Sequence, residues 1–82
     1  MDEIFLFKLN CDEYYLDMSS RWKFDESNLY GNITRRCVGT GIIDEFSSYR
    51  VPYSLVNEVW NAIAKYEHSK EFDSKVERLL NE

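Results

Sequence analysis

The apolar residues that follow Pro52 recur with the spacing of an α-helix. At intervals of three or four positions they would line one side of it; they are Val56, Val59, Trp60, Ile63 and Tyr66. Ser54 precedes the run and is a favourable N-cap residue. Pro52 is the only proline of the chain and marks the end of the β-rich region that precedes the helix. The spacing predicts a helix from residue 54 to about residue 67 that packs one face on a sheet.

A second helical segment is predicted from residue 69 to about residue 81. Continuing the first apolar stripe leads to Glu67, Lys70 and Ser74, so the two apolar faces differ by roughly half a turn. We therefore expect a bend near His68-Ser69-Lys70. Because two short helices hold more apolar surface than one small sheet covers, the apolar side of the second segment is a candidate self-association surface. Its residues are Phe72, Val76, Leu79 and Leu80.

The first 50 residues have the patterns of β-strands. Residues 4–9 are apolar at successive positions, which predicts a central strand covered on both faces. Residues 13–18 alternate between apolar and polar side chains and predict a second strand paired with the first. Residues 21–24 alternate basic with aromatic residues, which is typical of a short third strand or an edge.

Glycine positions predict where this sheet reverses. Gly31-Asn32 lies between two β-prone residues, the composition of a tight hairpin turn. Gly39-Thr40-Gly41 predicts another reversal, between strands at residues 33–38 and 42–46. The expected fold is α+β: an antiparallel meander of three to five strands over about residues 3–50, then one or two helices within 54–81 packed on one face. A chain of 82 residues has room for a single domain, residues 1–82.

The composition favours a cytoplasmic protein without a membrane segment. The N-terminus lacks the basic region and cleavage site of a signal peptide. No stretch approaches the roughly 18 apolar residues that a membrane span requires. Cys11 and Cys37 stand in no metal-binding or redox spacing, so we expect both to be reduced.

We expect no enzymatic activity, no cofactor and no metal. The only histidine, His68, lies on the polar stripe of the predicted helix. Gly39-Thr40-Gly41 lacks the remaining residues of a phosphate-binding loop. The dipeptide Asp-Glu occurs four times, but neighbouring residues of a strand point to opposite faces and cannot act as a catalytic pair.

The acids instead favour a protein-binding role. The net charge is −5, and a negative surface with tyrosines suits a basic protein or a protein that itself binds nucleic acid. The candidate partner-binding residues are Asp12, Glu13, Tyr14, Tyr15, Asp17, Asp25 and Glu26. In size and acidity the chain is similar to phage-encoded inhibitors of host defence and to bacteriocin immunity proteins. The predicted function is an inhibitor or antitoxin-like domain that covers a basic functional surface.

Two alternatives remain open at this point. One is an accessory subunit that forms a homodimer through the second helical segment. The other is a nucleic-acid-binding protein that uses a basic and aromatic cluster of Arg21, Trp22, Lys23, Phe24, Tyr30, Arg35 and Arg36. Strand alternation places Trp22 and Phe24 on one face and the neighbouring bases on the other, and the acidic net charge also disfavours nucleic acid.

Overall fold

The computed structural model describes the backbone of residues 2–80 and the side chains of residues 2–69. Five strands come first: β1 Glu3–Leu9, β2 Asp12–Asp17, β3 Lys23–Asp25, β4 Asn28–Cys37 and β5 Ile43–Arg50. A short 3-10 helix, Tyr53–Leu55, then leads into the helix α1, Val56–Leu80. The predicted α+β class, with an antiparallel meander followed by C-terminal helix, is confirmed.

The long strand β4 organises the sheet. Its residues 33–36 pair with both β2 and β5, and its residues 28–30 pair with both β3 and β5. The strands β2 and β3 therefore share one edge of β4, while β5 occupies the other. Because β1 pairs with β2 alone and β5 with β4 alone, these two strands form the ends of the sheet.

The prediction that residues 4–9 form a central strand is wrong in position. They belong to β1, which is an edge strand with a register shift between Phe5 and Phe7. The extra residue, Leu6, is buried together with its neighbour Phe7, whereas Phe5 is 48% exposed on the opposite face. A bulge therefore explains the unbroken apolar run, because it turns two consecutive side chains to the core.

The predicted hairpin turn at Gly31-Asn32 is also wrong, since β4 runs through it. Gly31 has a φ of 141° beside a register shift between Tyr30 and Ile33. A Cβ atom on Gly31 would lie 3.0 Å from Cβ of Trp22. The glycine thus allows a bulge in β4 and the close approach of Trp22. The chain reverses earlier, between β3 and β4, at Glu26 (φ 56°). The predicted reversal at Gly39-Thr40-Gly41 is confirmed.

The helix α1 runs for 25 residues through His68-Ser69-Lys70. The predicted division into two segments is therefore wrong, because nothing between Val56 and Leu80 is a glycine or proline that would end a helix. The predicted N-cap is wrong as well, since Ser54 lies inside the 3-10 helix and Pro52 precedes it. Among the described residues, no helix has an apolar stretch of the length needed to cross a bilayer.

The predicted apolar face of the helix is confirmed. Val59 and Ile63 are buried, Tyr66 is half-buried, and the helix contacts β1. Trp60 is 44% exposed, but its ring lies 5.0 Å from the ring of Phe24. The buried apolar core consists of Leu6, Phe7, Tyr14, Leu16, Phe24, Leu29, Ile33, Val51, Val59 and Ile63.

Replacement of Gly31 by alanine should destabilise the protein. The new Cβ would meet Trp22 at 3.0 Å and Leu16 at 3.3 Å, at a φ that L-residues rarely adopt. We expect Gly31→Ala to lower the free energy of unfolding by about 1–3 kcal/mol in urea denaturation. Gly39→Ala is the matched control, because no atom lies within 4 Å of its Cβ position. Equal stability of the two variants would contradict the packing described for Trp22.

Candidate protein-interaction surface

The sheet has an inner face that carries the core and an outer face that does not. In β2, Tyr14 and Leu16 are buried, so Glu13, Tyr15 and Asp17 point to the other side. Cross-strand partners share a face, which extends this assignment to the neighbouring strands. Around β1 and β2 the outer face comprises Glu3, Phe5, Lys8, Glu13, Tyr15, Asp17, Thr34, Arg36, Ile43 and Glu45. Beside β3 it continues with Lys23, Asp25, Tyr30, Ser48 and Arg50. None of these side chains is buried.

An open groove of about 440 Å³ crosses the outer face. The carboxylates of Glu3, Asp17 and Glu45 line it, together with polar side chains that include Thr34 and Ser47. Its described lining contains no lysine or arginine. The groove is therefore a negatively charged concavity with further hydrogen-bonding groups in its lining.

Two aromatic rings lie beside the acids of the outer face. Phe5 and Tyr15 are in edge-to-face contact, with ring centroids 5.6 Å apart. The Tyr15 hydroxyl donates a hydrogen bond to Oε1 of Glu13 at 3.2 Å. Burial, followed by this hydrogen bond, raises the pKa of Tyr15. The rings supply apolar contact area next to charge, a composition typical of protein interfaces.

Local partners hold two of the carboxylates in their ionised form. Asp17 accepts hydrogen bonds from Oγ of Ser19 at 2.6 Å and from its backbone N–H at 2.9 Å, and these bonds lower the pKa of Asp17. Glu13 accepts a 2.6 Å hydrogen bond from Nη2 of Arg36, which lowers the pKa of Glu13. Glu3 and Glu45 have no ion-pair partner among the side chains described. The outer face thus keeps a net negative charge after its internal pair is counted.

The structure brings together only some of the predicted partner-binding residues. Glu13, Tyr15 and Asp17 share the outer face. Asp12 takes the opposite side of β2, and Asp25 and Glu26 are exposed at the end of the β3–β4 hairpin. Asp12 and Glu26 therefore do not belong to this surface, and Asp25, which its pairing with Asn28 places on the outer face, lies outside the groove.

The Tyr14 ring, also predicted to bind a partner, is not on this surface, because Tyr14 is part of the core. Its ring stacks on Phe7 with centroids 4.8 Å apart and lies at the same distance from Tyr49. Strand alternation is the physical reason, since Tyr14 and Tyr15 are neighbours and only one of them can face outward.

Sequence reasoning missed Glu3, Phe5 and Glu45. The signal for the acids was present in the Asp-Glu dipeptides, because three of the four place their glutamate on the outer face, at Glu3, Glu13 and Glu45. The companion Asp44 points to the inner face and forms a 2.7 Å ion pair with Arg35. Only the strand register shows that the three glutamates lie on one side.

The remaining candidate residues do not form a surface that can be described. The side chains of Phe72, Val76, Leu79 and Leu80 lie outside the described residues. In the basic and aromatic cluster, Arg35 is paired with Asp44 and Arg36 with Glu13. Phe24 is buried and Trp22 is half-buried against the core.

Among the described residues, neither the two cysteines nor a group of metal-ligating side chains forms a second site. Cys11 is exposed, Cys37 is half-buried, and both are free. Hydrogen bonds from the side chain and backbone of Thr40 lower the pKa of the Cys37 thiol. Within the part of the chain that the structure describes, no three His, Cys, Asp or Glu side chains are placed to hold a metal ion.

Comparison with known proteins gives no match: no family model fits the chain, and neither a curated protein nor a solved structure is similar to it. The function must therefore be argued from the outer face itself.

The contact between Tyr14 and Tyr49 can be tested by titration. Burial first, and the hydrogen bond that Tyr49 donates to the Tyr14 hydroxyl at 3.3 Å second, raise the pKa of Tyr49 to about 12. We expect Tyr14→Phe to lower the pKa of Tyr49, measured by the tyrosinate signal in NMR or ultraviolet titration. The exposed Tyr30→Phe is the control and should leave the Tyr49 midpoint unchanged.

The raised pKa of Tyr49 predicts how the stability of the fold changes with pH. The folded state holds the Tyr49 proton more tightly than the unfolded state, in which the pKa of tyrosine is about 10. The protonated Tyr49 hydroxyl therefore makes its full contribution to folding stability below about pH 10. This contribution should be lost as the pH rises toward the folded value. Stability that did not fall over this alkaline range would contradict the half-buried, hydrogen-bonded position of the Tyr49 hydroxyl.

Proposed function

We propose that this chain is a non-enzymatic protein-binding domain whose outer face docks on a basic surface of another protein and covers it. The observation that carries the proposal is the combination of three groove-lining carboxylates with an exposed Phe5 ring on one uncovered sheet face. Arginine and lysine side chains of a partner would meet Glu3, Asp17 and Glu45. The rings of Phe5 and Tyr15 would add apolar contact.

The charges of the groove are suited to pairing with a partner. Glu3 and Glu45 are exposed and have no basic partner in the described part of the chain. Asp17 is oriented by the two hydrogen bonds that Ser19 donates to its Oδ1 atom. A carboxylate that is already ionised and positioned loses little on binding, and paired arginine–carboxylate contacts are among the stronger polar interactions.

The scaffold supports the same role. The groove lies on strands β1, β2, β4 and β5, whose backbones are fixed by the sheet hydrogen bonds. A rigid surface of this kind binds with little rearrangement. Its negative potential accelerates encounter with a basic protein. An inhibitor or antitoxin-like domain needs these properties, because it must occupy a basic surface before the competing phosphate or substrate does.

The alternative of nucleic-acid binding has less support. The two arginines of β4 are both held by carboxylates of this chain, at 2.7 Å for Arg35 and 2.6 Å for Arg36. Using them on phosphates would first require these pairs to open. The acids of the groove would also repel a phosphate backbone.

A charge-reversed groove tests the proposal. The immobilised chain is compared with Glu3→Lys/Asp17→Lys in capture from cells that produce the protein, with quantitative mass spectrometry of what is retained. We expect the variant to lose the proteins that the unmodified chain enriches, by roughly tenfold, and the enrichment by the unmodified chain to fall as salt rises. Circular dichroism checks that both forms are folded.

The matched control is Asp25→Lys/Glu58→Lys, which makes the same change in net charge at exposed positions away from the groove. It should retain the captured proteins. If the groove variant and the control behaved alike, the docking surface would lie elsewhere.

A further inference from the structure

The strand β1 has an open edge beside the helix. It pairs with β2 alone, and no other described strand pairs with it. It is also the strand with which α1 makes its main contact. An open groove of about 620 Å³ runs between these two elements. This β1 groove shares no lining residue with the acidic groove of Glu3, Asp17 and Glu45.

The β1 groove is lined from both faces of the strand. Its lining includes three successive residues, Ile4, Phe5 and Leu6. Phe5 belongs to the outer face, whereas Ile4 pairs with the buried Leu16 and belongs to the inner face. A groove that touches both faces must pass the edge of the strand. It therefore offers the backbone groups of that edge as well as side chains.

The hydrogen bonds to β2 show which backbone groups of β1 point to the open edge. Pairing with β2 is regular up to Phe5, because the register shift follows that residue. The Met18 N–H donates to the Asp2 carbonyl at 2.7 Å, so these two residues form a hydrogen-bonded pair. Bonded and non-bonded pairs alternate along an antiparallel ladder. Ile4 is therefore bonded to β2, while the N–H and C=O groups of Glu3 and Phe5 point to the open edge.

The helix side of the β1 groove is a single stripe of α1. Its lining residues follow the i, i+3, i+4 pattern of one helix side; they are Glu58, Asn61, Ala62, Lys65, Tyr66 and Ser69. The stripe covers about 16 Å of the helix axis. That length corresponds to about five residues of an extended strand. The β1 groove is thus as long as a short strand and has an open strand edge on its other side.

Two charges of opposite sign stand along this stripe. Glu58 and Lys65 are exposed, and neither has an ion-pair partner among the side chains of residues 2–69. Burial first and a hydrogen bond to Asp2 second raise the pKa of Tyr66, so Tyr66 and its neighbour Lys65 lie at the start of β1. Because α1 follows β1, Glu58 lies farther along the strand, about 10 Å from Lys65 in the direction of the helix axis.

We propose that the β1 groove binds an extended segment of a partner protein, which adds to the sheet as a strand antiparallel to β1. The segment carries a basic, an apolar and an acidic side chain at alternate positions, in this order. The basic side chain meets Glu58, the acidic one meets Lys65, and the apolar one packs between them against the half-buried Ala62.

Strand alternation gives the register of this segment. Cross-strand partners share a face, so its apolar residue lies opposite Ile4, on the face of the sheet that meets the helix. The residues before and after it lie opposite Phe5 and Glu3 and exchange two backbone hydrogen bonds with each. Its basic and acidic residues are about 13 Å apart along the strand, a distance from which long side chains reach the two charges of the helix.

A second copy of β1 matches the groove less well. Antiparallel pairing centred on Ile4 would bring Asp2 of the second copy toward Glu58, and the two carboxylates repel. That copy also supplies no basic side chain at this end of the groove, because the residue opposite Leu6 in this register is Asp2. Charge complementarity therefore favours a foreign segment.

This inference is independent of the function proposed for the acidic groove. In the capture experiment, a protein held through the β1 groove would be retained by Glu3→Lys/Asp17→Lys and lost by the variant that contains Glu58→Lys. This pattern is the reverse of the one expected for a protein bound to the acidic groove, so the failure of either proposal is visible separately.

A synthetic peptide tests the proposal. Acetyl-Thr-Lys-Thr-Ile-Thr-Glu-Thr-amide is titrated into the isotope-labelled full chain and followed by NMR. We expect saturable shifts around the β1 groove at peptide concentrations up to about 1 mM. Hydrogen exchange should slow at the amides of Glu3 and Phe5, but not at that of Ile4, which is already bonded to β2. The charge-reversed acetyl-Thr-Glu-Thr-Ile-Thr-Lys-Thr-amide should bind about tenfold more weakly, because it sets like charges together.

A charge exchange in the protein should reverse this preference. Glu58→Lys/Lys65→Glu leaves the net charge unchanged, and we expect it to bind the charge-reversed peptide about tenfold more tightly than the original one. Lys23→Glu/Glu26→Lys is the matched control, because it exchanges the same charges at exposed positions outside the groove. It should keep the preference of the unmodified chain.

N-methylated peptides test the added strand. A methyl group on the amide of the threonine after isoleucine removes a hydrogen bond to the Glu3 carbonyl and should weaken binding by about tenfold. The same group on the isoleucine amide, which points away from β1, should leave binding unchanged. Absence of saturable binding, equal binding of the two charge patterns, or equal effects of the two methyl groups would overturn the proposal. So would a dimer of this chain whose contact maps to the β1 groove, because the occupant would then be a second copy.

Discussion

The contact between Trp22 and Gly31 is the constraint on which the sheet depends. The Cβ of Trp22 lies 3.0 Å from the place that a Cβ atom at position 31 would take, so a glycine in the bulge of β4 leaves the room that the β2–β3 connection needs. On the two sides of Gly31, one edge of β4 holds β2 at one end and β3 at the other. Leu16, Leu29 and Ile33 then converge on the inner face, where the helix completes the core.

Covering the inner face determines what the outer face can do. Once β2 places Tyr14 and Leu16 inside, strand alternation sends Glu13 and Asp17 to the opposite side. Antiparallel pairing adds Glu3 from β1 and carries the same face to β5. The acidic groove is thus a geometric consequence of how the core is filled, and it uses carboxylates that the sequence distributes over three strands.

The groove and the open edge of β5 meet at one residue. Glu45 lines the groove and also stands on β5, which among the described strands pairs with β4 alone.

Local patterns in the sequence were sufficient for the α+β class, for the meander and for the buried side of the helix at Val59 and Ile63, because periodicity of apolar residues is a local property. They were insufficient for the edge position of β1, for the bulge at Gly31 and for the burial of Tyr14. Each of these depends on strand register, which is set by contacts between residues distant in sequence. For the same reason the Asp-Glu dipeptides were visible as acidic pairs, but only the tertiary structure decided which member of each pair faces outward and which outward members lie together.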